Sequence, residues 1–179
     1  MAFKKLYTGY GQIELNNVAF RRDGRIEAQC QLDATDFATI PAENGMLLAV
    51  DKVNNTIKFA KDATLPVAIH YSTEHMYDER QVGALAEFCL PRGTFLPRMG
   101  YLSVGETFTT NCIGADDATF ADTAAVEAAI KTGVYGKPSA QGVIELVKTA
   151  PTTGVALRAV KATTMPDGKF ALKFQVYKA

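Results

Sequence analysis

The densest gathering of chemistry-bearing side chains is the string His70-Tyr-Ser-Thr-Glu-His-Met-Tyr-Asp-Glu79, which sets His70 and His75 close to Glu74, Asp78 and Glu79. Imidazole and carboxylate together suit zinc, yet a structural zinc site needs four well-placed ligands and a catalytic one three. His70 falls inside an expected strand and His75 in the loop beyond it, without recognised ligand spacing. The expectation is a polar loop at a strand end, with no metal and no other cofactor. Cys30, Cys89 and Cys112 could each join a histidine to make a nucleophile. Nothing nearby activates them, each has apolar neighbours, and a free cysteine packs as a small hydrophobe, so buried thiols are expected. Ser103-Val104-Gly105 and Gly133-Val-Tyr-Gly136 lack the lysine and hydroxyl of a phosphate-cradling loop. Asp116-Asp117 pairs two carboxylates in an acidic loop, with no apolar pocket to raise either pKa. No catalytic residue is assigned, and the chain reads as non-enzymatic.

The elements that would carry these residues are mostly strands. Phe170, Leu172, Phe174 and Val176 alternate with Ala171, Lys173, Gln175 and Tyr177, the period of a half-buried strand. Further strands are expected at Gln12–Phe20, Arg25–Leu32, Met46–Val50, Thr56–Ala60, Pro66–Ser72, Arg98–Ser103, Thr107–Ile113, Gly142–Lys148 and Gly154–Thr163. Register sharpens two hairpins. A three-residue loop Arg22-Asp23-Gly24 would set Phe20 against Ile26 and Val18 against Ala28, with Gly24 left-handed. Pro166-Asp167-Gly168 would pair Thr164 with Phe170, Ala162 with Leu172 and Val160 with Phe174. Apolar parity then switches to Leu157 and Val155, which predicts a bulge near Arg158–Ala159.

One helix is signalled by Asp122 as cap, Val126 and Ile130 four apart, a run of alanines and Gly133 as its stop. A shorter one could cover Glu79–Phe88, and Asp33–Asn44 and Gly114–Ala121 read as loops. The resulting expectation is a mainly β fold, a barrel or sandwich of antiparallel strands with one flanking Ala-rich helix. It is a single β-rich domain over residues 1–179, with 114–140 as a helix-bearing insertion. Residues 1–10, with Phe3, Leu6, Tyr7, Tyr10 and two lysines, are either an arm reaching another subunit or an added edge strand.

Bulk composition narrows the partners. The 179 residues carry 19 basic and 19 acidic side chains, so no long-range field calls for nucleic acid or an anionic membrane. The aromatics mostly hold the apolar phase of their strands, which favours core over a stacking platform. The longest apolar run, Met46–Val50, cannot span a bilayer, and no signal peptide is expected. Charge is nevertheless uneven: Tyr101–Ile130 has only acidic residues, whereas Lys131–Ala179 has eight basic against two acidic. Two solvated faces of opposite sign explain this; head-to-tail complementarity between copies is the sharper reading. Met76 and Tyr77, apolar bulk in a polar loop, and Asp116 and Asp117 are the interface candidates.

Three stretches in order resemble a family of small structural proteins of tailed bacteriophages: Met76-Tyr-Asp-Glu-Arg80, Gly100-Tyr-Leu-Ser-Val-Gly-Glu-Thr-Phe-Thr-Thr-Asn111 and Pro166-Asp-Gly-Lys-Phe-Ala-Leu-Lys-Phe-Gln-Val176. The resemblance implies a virion protein made in the host cytoplasm, a head-associated decoration or cement protein that binds the major capsid protein or other virion proteins. It also implies homo-oligomers and brings no catalytic residues. The alternatives are a tail or connector component, or a small β-barrel module binding a ligand or nucleic acid.

Overall fold

The computed structural model describes residues 2–15, 18–61, 64–72 and 87–179. The fold is mainly β. Thirteen strands run β1 (Lys4–Lys5), β2 (Ile26–Glu27), β3 (Gln31–Leu32), β4 (Leu47–Asp51), β5 (Thr56–Phe59), β6 (Val67–His70), β7 (Met99–Tyr101), β8 (Thr107–Thr110), β9 (Ile113–Ala115), β10 (Tyr135–Pro138), β11 (Ile144–Val147), β12 (Ala156–Thr164) and β13 (Phe170–Lys178). Among the described residues the helical elements are α1 (Ala19–Arg22), a 3-10 turn at Ala118–Phe120 and α2 (Thr123–Ala129).

The strands form two sheets rather than a closed barrel, one ordered β1-β9-β11-β10-β12-β13-β8 and the other β2-β7-β6-β4-β5-β3. Their pairings are antiparallel, as expected, except β9 with β11 and β3 with β5, which are parallel. Between the sheets lies one core, in which Leu47, Ile69 and Tyr71 of the six-stranded sheet meet Ile113, Leu146, Leu157, Leu172 and Phe174 of the seven-stranded one. A second core lies on the far face of the six-stranded sheet, where Leu48, Val50, Ile57 and Ala68 meet Phe37, Ala42, Phe88 and Leu90. The expected loop Asp33–Asn44 is thus a lid of irregular chain, tied to residue 90 by a bridge between Ala42 and Leu90. Covered on both faces, β4 is buried at all five positions, and its Leu47–Val50 reads as a continuous apolar run rather than an alternation.

The C-terminal hairpin follows its sequence pattern. Thr164 pairs with Phe170 and Ala162 with Leu172 around the loop at Pro166-Asp167-Gly168. The register shifts between Ala159 and Lys161, so Ala159 instead of Val160 opposes Phe174 and the bulge falls at Val160, one residue later than expected. Helix α2 also stands where its signals put it. Asp122 Oδ1 accepts from the Ala125 amide at 2.8 Å, Val126 is buried, and Gly133, at φ 112°, donates its amide to Ala129 O at 3.1 Å. The shorter helix expected at Glu79–Phe88 lies almost wholly outside the described residues.

The first hairpin does not form. Ala19–Arg22 is a helical turn, and Gly24, left-handed at φ 70°, ends it while the Arg25 amide reaches back to Phe20 O at 2.9 Å. This is a Schellman stop, a second use of the same left-handed glycine. Phe20 turns inward because Gly100 has no side chain: a Cβ there would meet the Phe20 ring at 2.2 Å. Residues 26–27 pair with β7 instead, opposite Gly100 and Met99. Two strands escape the sequence pattern. Tyr135–Pro138 contains glycine and proline, and Ile113–Ala115 sits where a loop is expected. The 114–140 segment consequently contributes β10 to the interior of the seven-stranded sheet, and Lys4–Lys5 lies at its edge, antiparallel to β9.

Candidate functional site

His70, on β6, is fully buried. Its Nδ1 lies 3.0 Å from the Glu43 carbonyl oxygen, which can only accept, so this nitrogen carries the proton. Nε2, 2.7 Å from Ser72 Oγ, accepts from that hydroxyl, and Ser72 Oγ in turn accepts from the Arg98 amide at 2.8 Å. Burial lowers the imidazole pKa to about 4 against the opposing pull of the Glu43 carbonyl. The ring is a neutral cross-brace between β6, the 43–45 turn and the approach to β7. His75, Glu74, Asp78 and Glu79 lie outside the described residues, as do the interface candidates Met76 and Tyr77. Among the described residues no three His, Cys, Asp or Glu converge as a ligand set.

Cys30 and Cys112 are buried and Cys89 is half-buried, all as free thiols. Burial, and then the Glu43 charge, pushes the Cys112 thiol up to about 12. Because the thiolate is the nucleophile, this environment opposes reaction. Asp116 is exposed just past β9. Asp117 is engaged within the chain: it caps the 3-10 turn by accepting from the Thr119 amide at 2.8 Å, and it pairs with Lys148 at 3.5 Å. The Thr119 backbone bond, above all, holds its carboxyl below the usual range. Lys148 and Asp117 therefore join the basic and acidic segments inside one molecule.

The polar centre that sequence reasoning missed is Glu43, which is 2% exposed. Its Oε1 takes Lys5 Nζ at 2.5 Å, and its Oε2 takes the Tyr7 hydroxyl at 2.6 Å and the Gly11 amide at 2.8 Å. Tyr7 OH also lies 3.6 Å from Cys112 Sγ. Burial foremost, then the charges of Cys112 and Glu43, would push the Tyr7 hydroxyl far above its ordinary pKa, so it remains a donor. The donor set comes from residues 5–11 and the acceptor from the irregular lid, more than thirty residues on. An isolated glutamate between Ala42 and Asn44 gives no sign of this in sequence. The arrangement is a saturated hydrogen-bond lock: it holds a segment in place and leaves no acceptor aimed at solvent.

Two surface features remain. Residues 91–96 are exposed throughout, and Phe95 and Leu96 stand side by side at 62% and 45% exposure. A polar depression of about 600 Å³ is walled by Gln29, Gln31, Asp33, Asn54, Thr56 and Arg92. No helix among the described residues is long and apolar enough to cross a membrane. No family model, curated protein or solved structure matches the chain.

Proposed function

We propose that the chain is a non-enzymatic virion structural protein, head-associated, that decorates and stabilises a capsid through contacts with the major capsid protein. The observation carrying this reading is the Phe95–Leu96 pair, large apolar side chains held in solvent on an exposed loop just before β7. Solvated apolar bulk of this kind gains most by burial against another protein surface. The reactive side chains support it from the other side. His70 and Cys112 spend their polar atoms on internal bonds, and Glu43 is spent on its lock. The resemblance of the three sequence stretches to phage structural proteins supplies the setting. The polar depression favours a second reading, a module binding a small polar ligand.

Mass spectrometry of intact particles containing this chain, with copy number, tests the proposal. A copy number matching a symmetric set of head positions is the expected result, and absence from particles overturns it. Phe95→Asp combined with Leu96→Asp should abolish co-sedimentation with shells and leave the melting temperature within about 1–2 °C, since exposed substitutions cost little. Retained co-sedimentation removes this loop as the contact.

A further inference from the structure

Residues 3–11 are held in the manner of a docked peptide. Their backbone attachment is thin: two ladder pairs, Lys4 with Ala115 and Lys5 with Gly114, and the Leu6 amide on Ile113 O at 3.0 Å. The rest is side chain on a shaped seat. Phe3 occupies the space Gly114 leaves, where a Cβ would come within 2.6 Å of the ring. Lys5, Tyr7 and the Gly11 amide converge on Glu43. Residues 6–10 form a bend, with Gly9 left-handed at φ 73°. Beyond it the chain is anchored separately: the Gln12 amide meets Asn111 Oδ1 at 2.6 Å, the Thr110 hydroxyl donates to Gln12 O at 2.5 Å, and Ile13 bridges Thr110.

We infer that this seat, the edge of β9 that β1 covers, with Gly114 and Glu43, receives residues 3–7 of a second copy of this chain, so that neighbouring copies join by exchanging β1 while Gly11 stays on its own Glu43. A bare β9 edge is a template for an incoming strand, and the strand that fits its glycine notch and buried carboxylate carries an aromatic, a lysine and a tyrosine at 3, 5 and 7. Charge agrees, since Lys5 pairs with Glu43 at the centre of the seat. Straightening the chain at residues 8–10 of that bend releases a left-handed glycine, and residues 4–11 extended reach roughly 25 Å. Residues 3–7 make the same contacts in the closed and exchanged forms, so concentration selects between them; short hinges are where such exchange arises. The inference rests on the assembly reading above for its setting. Its test uses the purified chain with no shell, so the two fail separately.

Two full-length variants in a Cys89→Ser background, Lys4→Cys and Ala115→Cys, place one thiol each on opposite members of a ladder pair. They are mixed at high concentration, then diluted and oxidised. The expected product is a heterodimer whose disulfide, mapped by peptide mass, joins position 4 of one copy to position 115 of the other. If the mixture yields no such bridge while the double variant Lys4→Cys/Ala115→Cys closes within single chains, the inference is wrong. A readout free of cysteine guards against misfolding at Ala115. Gly9→Ala penalises the left-handed bend by about tenfold per copy; because a reciprocal dimer releases two bends, the dimer-to-monomer ratio in gel filtration should rise by roughly tenfold to a hundredfold at fixed total concentration. A ratio unmoved by Gly9→Ala also counts against exchange.

Discussion

At Glu43 a carboxylate is tolerated at 2% exposure only because three donors meet it within 2.8 Å. Removing one side of such a cluster leaves the other side desolvated and unpaired, which costs more than the bonds themselves contribute. Lys5 is 40% exposed and recovers water, so the penalty falls mainly on Tyr7 and Gly11. Glu43→Ala is expected to cost about 2–3 kcal/mol, seen as a melting temperature lower by roughly 5–10 °C; a shift under about 2 °C would show that the lock does not bear on stability. His70 sets a pH dependence. The folded chain keeps it neutral down to about 4, whereas the unfolded chain protonates it near 6.5. Within that window the unfolded state binds the extra proton, so stability is full above the upper value and is lost as pH falls through the lower one. Urea titrations should show a decline of up to about 2–3 kcal/mol across the window. His70→Asn, though less stable at pH 7, should lack that part of the slope.

At the scale of elements, glycines decide where strands and aromatics meet. Gly100, in the middle of β7, is the floor on which Phe20 lies, and the Phe20 ring packs against Tyr71 at 4.9 Å between centroids. Gly100→Ala drives a methyl into that ring and must lift α1 off the sheet. The expected cost is about 2–3 kcal/mol, measured by chemical denaturation, with the aromatic near-ultraviolet signal altered; an unperturbed transition would mean that Phe20 is not seated there. Hairpin β12–β13 shows the opposite case. Its alternation, its turn residues and its bulge were all visible in the residues, because one face is buried and a one-residue slip would expose Leu172 and Phe174. The first hairpin had a similar apparent logic, with Val18 and Phe20 set against Ile26 and Ala28. It failed because Phe20 found a deeper place over a glycine eighty residues away.

For the whole molecule, two cores on either side of the six-stranded sheet imply a gradient of local stability. Leu47–Val50 is buried at every position and paired on both edges, while β1 has two ladder residues at the margin of its sheet. Native-state hydrogen exchange should therefore place the Leu48 and Val50 amides with the slowest, near the global opening limit. Those of Lys5 and Leu6 should exchange by local release, faster by at least about a hundredfold. Equal protection at the two sites would mean that residues 3–11 open only with the whole fold, which would also weigh against strand exchange. The acidic and basic segments of the chain are partly reconciled inside the molecule, through Lys148 with Asp117, and Glu106 of the acidic segment is met by Arg25 from outside the basic one, while Asp116 and Glu127 remain on the surface.

The β class, the capped Ala-rich helix and the C-terminal hairpin were legible in the residues, because each depends on periodicity, capping or turn chemistry within a short window; of the three thiols expected to be buried, Cys30 and Cys112 are and Cys89 is only half-buried. The Glu43 lock, the division into two cores, the parallel pairings and the course of residues 18–32 were not legible. Each arises from partners about twenty-five to a hundred residues apart, whose meeting is decided by which side chains fill which gaps once the sheets stack. Local spacing carries no record of that choice, and a lone glutamate or glycine shows its role only when its distant neighbours have arrived.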